Sequence, residues 1–332
     1  MPRLSDIQIR DPFVVRDRDE YYLFGSTDPD IWRADGIGFD VYRSIGDSLL
    51  EWDGPIPAFR PRRGFFARKN FWAPEVWRYR GDWYMFATFM PCVPSGPAAV
   101  IVGNMESPPR RGTAILKSAT GRITGPYVPH SGGPVTPPEW ETLDGTLYID
   151  DGGAPWMVFC HEWQQVGDGT VEAMPLASDL SAAAGAPTTL FRASQAPWSA
   201  PLAGRAPGSY VTDGPFLFHD SRGYLRCLWS TFDASGNYAI GEAVSVSNID
   251  DDGASPAGVL GPWRVAPEPL FTADGGHGML FRGPGNGVYL AIHSPNATPL
   301  ERAMFLEVAE APKLATVPGP AGWLQPTGKV IR

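Results

Sequence analysis

Five times along the chain, a polar or ionisable residue beside Gly or Pro leads into an apolar strand, a polar turn and a second strand rich in aromatic and aliphatic side chains. The first copy runs Asp11–Val15, turns over 16–20 and continues as Tyr21–Phe24. The second runs Glu75–Trp77, turns over 80–82 and continues as Trp83–Phe86. The third pairs Asp144–Ile149 with Trp156–Phe159, and the fourth pairs Asp213–Phe218 with Tyr224–Trp229. The fifth pairs His277–Phe281 with Val288–Ile292. One strand-turn-strand unit is common, but five at near-constant spacing, each opening on a polar residue, form a repeat. Few segments carry the 3.6-residue period of a helix.

Each repeat has room for four short strands with their loops, which is the content of a propeller blade. The pattern therefore predicts an all-β, five-bladed β-propeller. Blades bury their faces against their neighbours, so residues 1–332 are expected to form a single catalytic domain without an internal boundary. The Pro/Gly/Ala/Ser-rich stretches Ser181–Pro187 and Ser194–Ser209 then read as inter-blade loops rather than linkers. Composition agrees: aromatic residues make up 12% of the 332, beside 38 Gly and 35 Pro, as short strands joined by turns require.

Charge narrows the partners. A net charge of −9 argues against nucleic acid or an anionic membrane and fits a neutral substrate. Cys92, Cys160 and Cys227 are too few and too scattered for a disulfide framework or a zinc site, and Cys160 and Cys227 read as buried thiols. The opening MPRLSDIQIRDPFVV lacks a charged segment followed by an apolar one, and no apolar run is long enough to span a bilayer. The expectation is a cytoplasmic protein.

Blades radiate from a central channel, so equivalent residues at the starts of the inner strands converge at one end of it. Asp11, Glu75, Asp144, Asp213 and His277 would then line one pocket. Carboxyl groups crowded together raise one another's pKa values and keep part of the set protonated, which separates an acid from a base near neutral pH. Hydrolysis of a glycosidic bond needs that pair: one carboxylic acid protonates the leaving oxygen and one carboxylate activates water or attacks the sugar. Trp32, Trp72, Trp77, Trp163 and Trp198 lie near the blade openings or in loops and offer flat faces to sugar rings. His161 and Glu162 end a blade strand and could line the same pocket.

These residues sit in motifs with a family likeness. Ile9-Arg10-Asp11-Pro12-Phe13 resembles the opening motif of glycoside hydrolase family 43, as does Phe71-Trp72-Ala73-Pro74-Glu75-Val76-Trp77 further on. The run from Leu143 to Asp150 is similar to that family's third-blade aspartate segment. Thr212-Asp213-Gly214-Pro215 looks like its Glu-Gly-Pro segment, and Gly275-Gly276-His277-Gly278 like its fifth-blade histidine turn. The likeness covers nearly the whole chain, in the family's order. It implies inverting hydrolysis of arabinose- or xylose-containing plant cell-wall oligosaccharides, of the α-L-arabinofuranosidase, arabinanase or β-xylosidase kind. By the same resemblance Asp11 is the general base, Asp144 tunes and orients the acid, and Asp213 occupies the acid position. No cofactor is required. His277 matches a position near the axis where a structural calcium ion or an ordered water is held.

One departure stands out. The family's acid is usually Glu, and Asp213 is shorter by one methylene. Either the backbone brings Asp213 inward, or Glu75, Glu162 or Glu172 supplies the proton, or the protein binds sugars without cleaving them. Galactan is a further candidate glycan. A phosphorolytic propeller enzyme would instead need a basic phosphate cradle, for which Arg10, Arg68, Lys69 and Arg205 are the candidates.

Overall fold

The computed structural model describes residues 1–92, 110–251, 253–310 and 323–332. Their strands form five four-stranded antiparallel sheets. The first holds β1 (Arg10–Asp17), β2 (Glu20–Ser26), β3 (Phe39–Ser44) and β4 (Trp52–Phe59). The second holds β5 (Ala67–Tyr79), β6 (Asp82–Pro91), β7 (Gly112–Ser118) and β8 (Tyr127–Pro134). The third holds β9 (Thr142–Ile149), β10 (Pro155–His161), β11 (Thr170–Pro175) and β12 (Thr188–Arg192), with one helical turn, α1 (Trp163–Val166), between β10 and β11. The fourth holds β13 (Asp213–His219), β14 (Leu225–Phe232), β15 (Tyr238–Ser245) and β16 (Trp263–Val265). The fifth holds β17 (Gly276–Arg282), β18 (Val288–Ser294), β19 (Arg302–Glu310) and β20 (Leu324–Ile331). Strand order within every sheet follows the sequence, and the arrangement is the five-bladed propeller that the repeat predicts.

Apolar faces of neighbouring blades supply the core. Between the first two blades, Phe39 and Phe59 meet Phe71 and Phe89 with ring centroids 5.9 to 6.2 Å apart. Burying one such ring stabilises by roughly 1.5–3 kcal/mol, and each well-oriented pair adds about 0.5–1.5 kcal/mol. The ring of blades closes through the N-terminal segment, where Leu4, Ile7 and Ile9 are buried and Ile9 N–H donates to the Glu301 carbonyl.

The inner strands share a backbone device. Asp11, Ala73, Asp144, Gly214 and His277 all have positive φ, between 46° and 56°. In every blade the pairing of the first two strands slips at that residue, as between Arg10–Ser26 and Phe13–Phe24. This is a β-bulge, which bends a strand and re-aims a side chain. For the four that are not glycine the left-handed backbone costs about 1 kcal/mol each. Neighbouring blades hold it in place. Ala73 N–H donates to Ser26 Oγ, Asp144 N–H to Thr88 Oγ1 and His277 N–H to Ser230 Oγ, at 2.8 to 2.9 Å. Asp11 N–H donates to His293 Nδ1 at 3.2 Å, from the fifth blade back to the first. In the fourth blade only Gly fits, because a side chain at Gly214 would meet the His277 ring at 2.8 Å.

The bulge also corrects the repeat. Three of the leading residues, Asp11, Asp144 and His277, are equivalent. In the second and fourth blades the equivalent residues are Ala73 and Gly214, so Glu75 lies two residues too far along and Asp213 one residue too early.

Candidate active site

A cavity of about 500 Å³ opens at the end of the channel where the bulges lie, walled by Asp11, Asp144, Asp213 and Glu162 together with Trp72, Tyr238 and His277. β1, β9, β13 and β17 bring in Asp11, Asp144, Asp213 and His277, the end of β10 brings Glu162, and the start of β15 brings Tyr238. Trp32 stands at the mouth, half its surface exposed, edge-on to Trp72 at 5.1 Å. Its Nε1 donates to Thr298 Oγ1 at 3.0 Å, which ties a first-blade loop to a fifth-blade loop. Trp163 of α1 faces the same cavity.

Asp11 is buried and held from several sides. Ser26 Oγ donates to Oδ2 at 2.7 Å, and His277 Nδ1 lies 3.2 Å from Oδ1. Burial would raise its pKa, but His277, Arg10, His293 and the Ser26 hydroxyl together outweigh burial and hold the carboxyl below its ordinary value. His277 itself is buried and its pKa lies below the usual imidazole value. At neutral pH it therefore meets Asp11 as a neutral ring, and the lasting positive charge is that of Arg10. Burial pushes His293 down to about 3, which leaves its Nδ1 free to accept the Asp11 N–H.

The other two aspartates behave oppositely. Asp144 Oδ2 accepts the Gly214 N–H at 3.0 Å and lies 3.7 Å from His277 Nδ1. Burial, then the charges of Asp213 and Asp11, raise its pKa well above normal. Burial lifts Asp213 to about 6, against the hydrogen bond that Tyr238 Oη donates to its Oδ2 at 3.0 Å. Asp144 and Asp213 thus keep a proton between them at a pH where Asp11 is ionised.

Glu162 is the fourth carboxyl on the wall. Arg111 Nη2 donates to its Oε2 at 3.0 Å, and the same guanidinium pairs with Glu141 and lies 4.9 Å from the Trp72 ring centre. Burial raises Glu162 to about 7, with the charge of Asp213 adding and Arg111 opposing.

Several expected site residues lie elsewhere. His161 stacks on Trp140 at 4.1 Å and bonds to Gln165, off the cavity wall. Glu172 is buried against Thr170 and Thr189 on β11. Trp198 packs on Trp229. Of the candidate phosphate ligands only Arg10 reaches the wall: Arg68 pairs with Asp35, Lys69 does not line the cavity, and Arg205 lies over Trp163. Among the described residues no group of three or more His, Cys, Asp and Glu has the arrangement to hold a metal ion. His277 turns Nδ1 to the two aspartates, 3.2 Å from Asp11 Oδ1 and 3.7 Å from Asp144 Oδ2.

Glu75 sits deeper. Together with Phe13, Thr146, Phe216 and Met279, each two residues beyond a bulge, it belongs to a second, buried tier of the channel. Thr146 Oγ1 donates to it at 2.5 Å and Trp77 Nε1 at 2.9 Å, while Trp77 stacks on Phe216 and closes the channel. Burial outweighs both bonds and lifts its pKa from 4.5 to about 8. The unfolded chain ionises Glu75 near 4.5 and the folded one near 8, so the folded state holds an extra proton between those values. Its stabilising effect is full below pH 4.5 and fades as pH rises toward 8. Glu75→Gln should therefore become more stable than the wild type by pH 8, the difference shifting by on the order of 3 kcal/mol from pH 5. Urea unfolding at both pH values checks this, and parallel stability curves would refute it.

Arg111, Tyr238 and His293 are site residues that the sequence reading missed. None lies in a repeat-leading motif; Arg111 and His293 reach their partners across blades, and Tyr238 reaches Asp213 from another strand of the same blade. Known proteins point the same way as the geometry. The chain is similar to an endo-arabinase from Bacteroides thetaiotaomicron, with 34% identity, TM-score 0.77 and 96% and 99% of the two chains covered. It is also similar to an endo-1,4-β-xylanase from the same organism (19% identity, TM-score 0.68, 99% and 97% covered). An α-L-arabinofuranosidase from Lactobacillus brevis shares the fold at 17% identity and TM-score 0.68, over 96% and 95% of the chains. No curated protein matches in sequence. The model of glycosyl hydrolases family 43 matches residues 5–310, almost the whole span that builds the blades and their shared cavity, so this chain belongs to that family and is a glycoside hydrolase.

Proposed function

We propose that the protein cleaves terminal arabinofuranosyl or xylosyl residues from short plant cell-wall oligosaccharides with inversion at the anomeric carbon. One observation carries this: Asp11 stays ionised on the wall of a cavity where Asp144 and Asp213 retain a proton. Asp11 takes a proton from a water, whose oxygen attacks the anomeric carbon. Asp213 gives its proton to the leaving glycosidic oxygen, so the two carboxyls end with exchanged protonation. Asp144 acts through Asp213: its bond to the Gly214 N–H, next to Asp213 in sequence, and the proton the two carboxyls keep between them hold the acid in place. The endo-arabinase at 34% identity supports an arabinose-containing substrate. A cytoplasmic location, acting on imported fragments, goes with this proposal.

A second reading assigns the proton to Glu162, whose longer carboxyl lines the same cavity and stays protonated up to about 7. The two readings separate by leaving group. A nitrophenolate departs without a proton, whereas a sugar alkoxide needs one. Asp213→Asn should therefore retain most activity on a nitrophenyl arabinofuranoside or xyloside and lose about 10²–10⁴-fold on the oligosaccharide, while Glu162→Gln should not show that split. The reverse pattern moves the acid to Glu162. NMR of the first-formed anomer tests the main reading, and retention of configuration would sink it. The wild-type rate on oligosaccharides should fall as pH rises through about 6, where the Asp213 proton is lost.

A further inference from the structure

Arg10 is the one cation on the cavity wall that no carboxylate holds among the described residues. It is 8% exposed, and the only side-chain partner its guanidinium has there is the Trp32 ring, 5.2 Å away. Arg111, equally buried, and Arg226, more so, each pair with two carboxylates. A buried guanidinium has five N–H donors in a fixed fork, and leaving them unmatched is costly. The charges of Asp11 and Asp213 offset Arg10 through space without taking its hydrogen bonds. The donors of Arg10 therefore point to acceptors that arrive with the ligand.

We propose that Arg10 is a substrate-binding residue that donates paired hydrogen bonds to two neighbouring hydroxyl oxygens of the sugar seated beside Asp11, with Trp32 fixing the plane of the fork. A planar guanidinium bridges two adjacent oxygens in one geometry and so selects their relative configuration. A sugar carboxylate would offer the same pair of acceptors, but Asp11, Asp144, Asp213 and Glu162 line the same space and repel an anion. The favoured ligand is a neutral sugar with a vicinal diol. This inference rests on the glycosidase reading and names how that site recognises its sugar.

The test compares wild type with Arg10→Met and Arg10→Lys on nitrophenyl arabinofuranoside and xyloside and their 2-deoxy and 3-deoxy analogues, beside calorimetric titration of arabinose, xylose and glucuronate. Wild type should lose roughly ten- to a hundredfold in kcat/KM or affinity on at least one deoxy analogue. Arg10→Met should bind the parent sugar that much more weakly and no longer distinguish it from the deoxy form, and Arg10→Lys should restore charge but not discrimination. If Arg10 serves only as a countercharge to Asp11, Arg10→Met moves the acid limb of the pH profile upward and leaves the deoxy ratio intact, which overturns the inference while hydrolysis stands. Preference for glucuronate overturns the neutral diol. If the wild type binds a sugar but releases no product, the glycosidase reading fails alone, and the affinities still decide the role of Arg10.

Discussion

Asp11→Asn should lower kcat on arabino- or xylo-oligosaccharides by about 10³-fold with little change in melting temperature. The amide is nearly isosteric with the carboxylate and can still accept the Ser26 hydroxyl that braces it. The backbone bond to His293 and the left-handed bulge are untouched by the substitution. What is lost is the anion. Asp11 is the carboxyl that His277, Arg10 and the Ser26 hydroxyl keep ionised, and no other carboxyl on the wall is pushed in that direction: Asp144, Asp213 and Glu162 are all shifted toward the protonated form. An amide cannot take the water's proton, so the loss should appear in kcat more than in KM. It should persist on nitrophenyl substrates, because a good leaving group does not replace the base. Steady-state kinetics beside a thermal melt decide it, and a variant with wild-type turnover removes Asp11 from the chemistry.

The largest expected loss of stability lies in the fourth blade, away from the cavity. Arg226 on β14 is fully buried, and its Nε donates to Asp220 Oδ2 at 2.8 Å and its Nη1 to Glu242 Oε2 at 3.1 Å. Both carboxylates are themselves buried. Glu242 Oε1 also accepts the Leu324 N–H at 2.7 Å, which ties the last strand to the blade before it. Burial lifts Glu242 to about 7 even against Arg226. Arg226→Met fills similar volume but leaves two buried carboxyls without their cation, so about 3–5 kcal/mol should be lost. Replacing all three residues by apolar ones of matching size should recover much of that, since the cost comes from the orphaned charges. Urea denaturation measures both. A loss below about 1 kcal/mol for Arg226→Met would show that the triad is not held as described. Where the variant is folded, kcat/KM should match the wild type.

How far the sequence reaches is visible blade by blade. Alternating apolar strands and Gly/Pro turns are local, so five repeats, four strands each and their order were legible. Asp11, Asp144 and His277 were legible too, because each sits in a short motif at a bulge whose backbone demands are also local. The register of the other two blades was not. Glu75 and Asp213 are acidic residues within two positions of Ala73 and Gly214, and composition alone does not say which residue takes the left-handed bend. Two residues along a strand moved Glu75 from the cavity wall into the closed second tier.

The chain by itself determined that five similar units would bury their faces against one another and bring acidic motifs to a common axis, because strand periodicity and turn chemistry act between near neighbours. Only the tertiary structure decided which carboxyls share the cavity and which of them keep a proton. Those properties come from burial and from partners such as His277 for Asp11, Tyr238 for Asp213 and Arg111 for Glu162. Such partners come from other strands or other blades, and a field that depends on distance and desolvation leaves no local mark in a sequence.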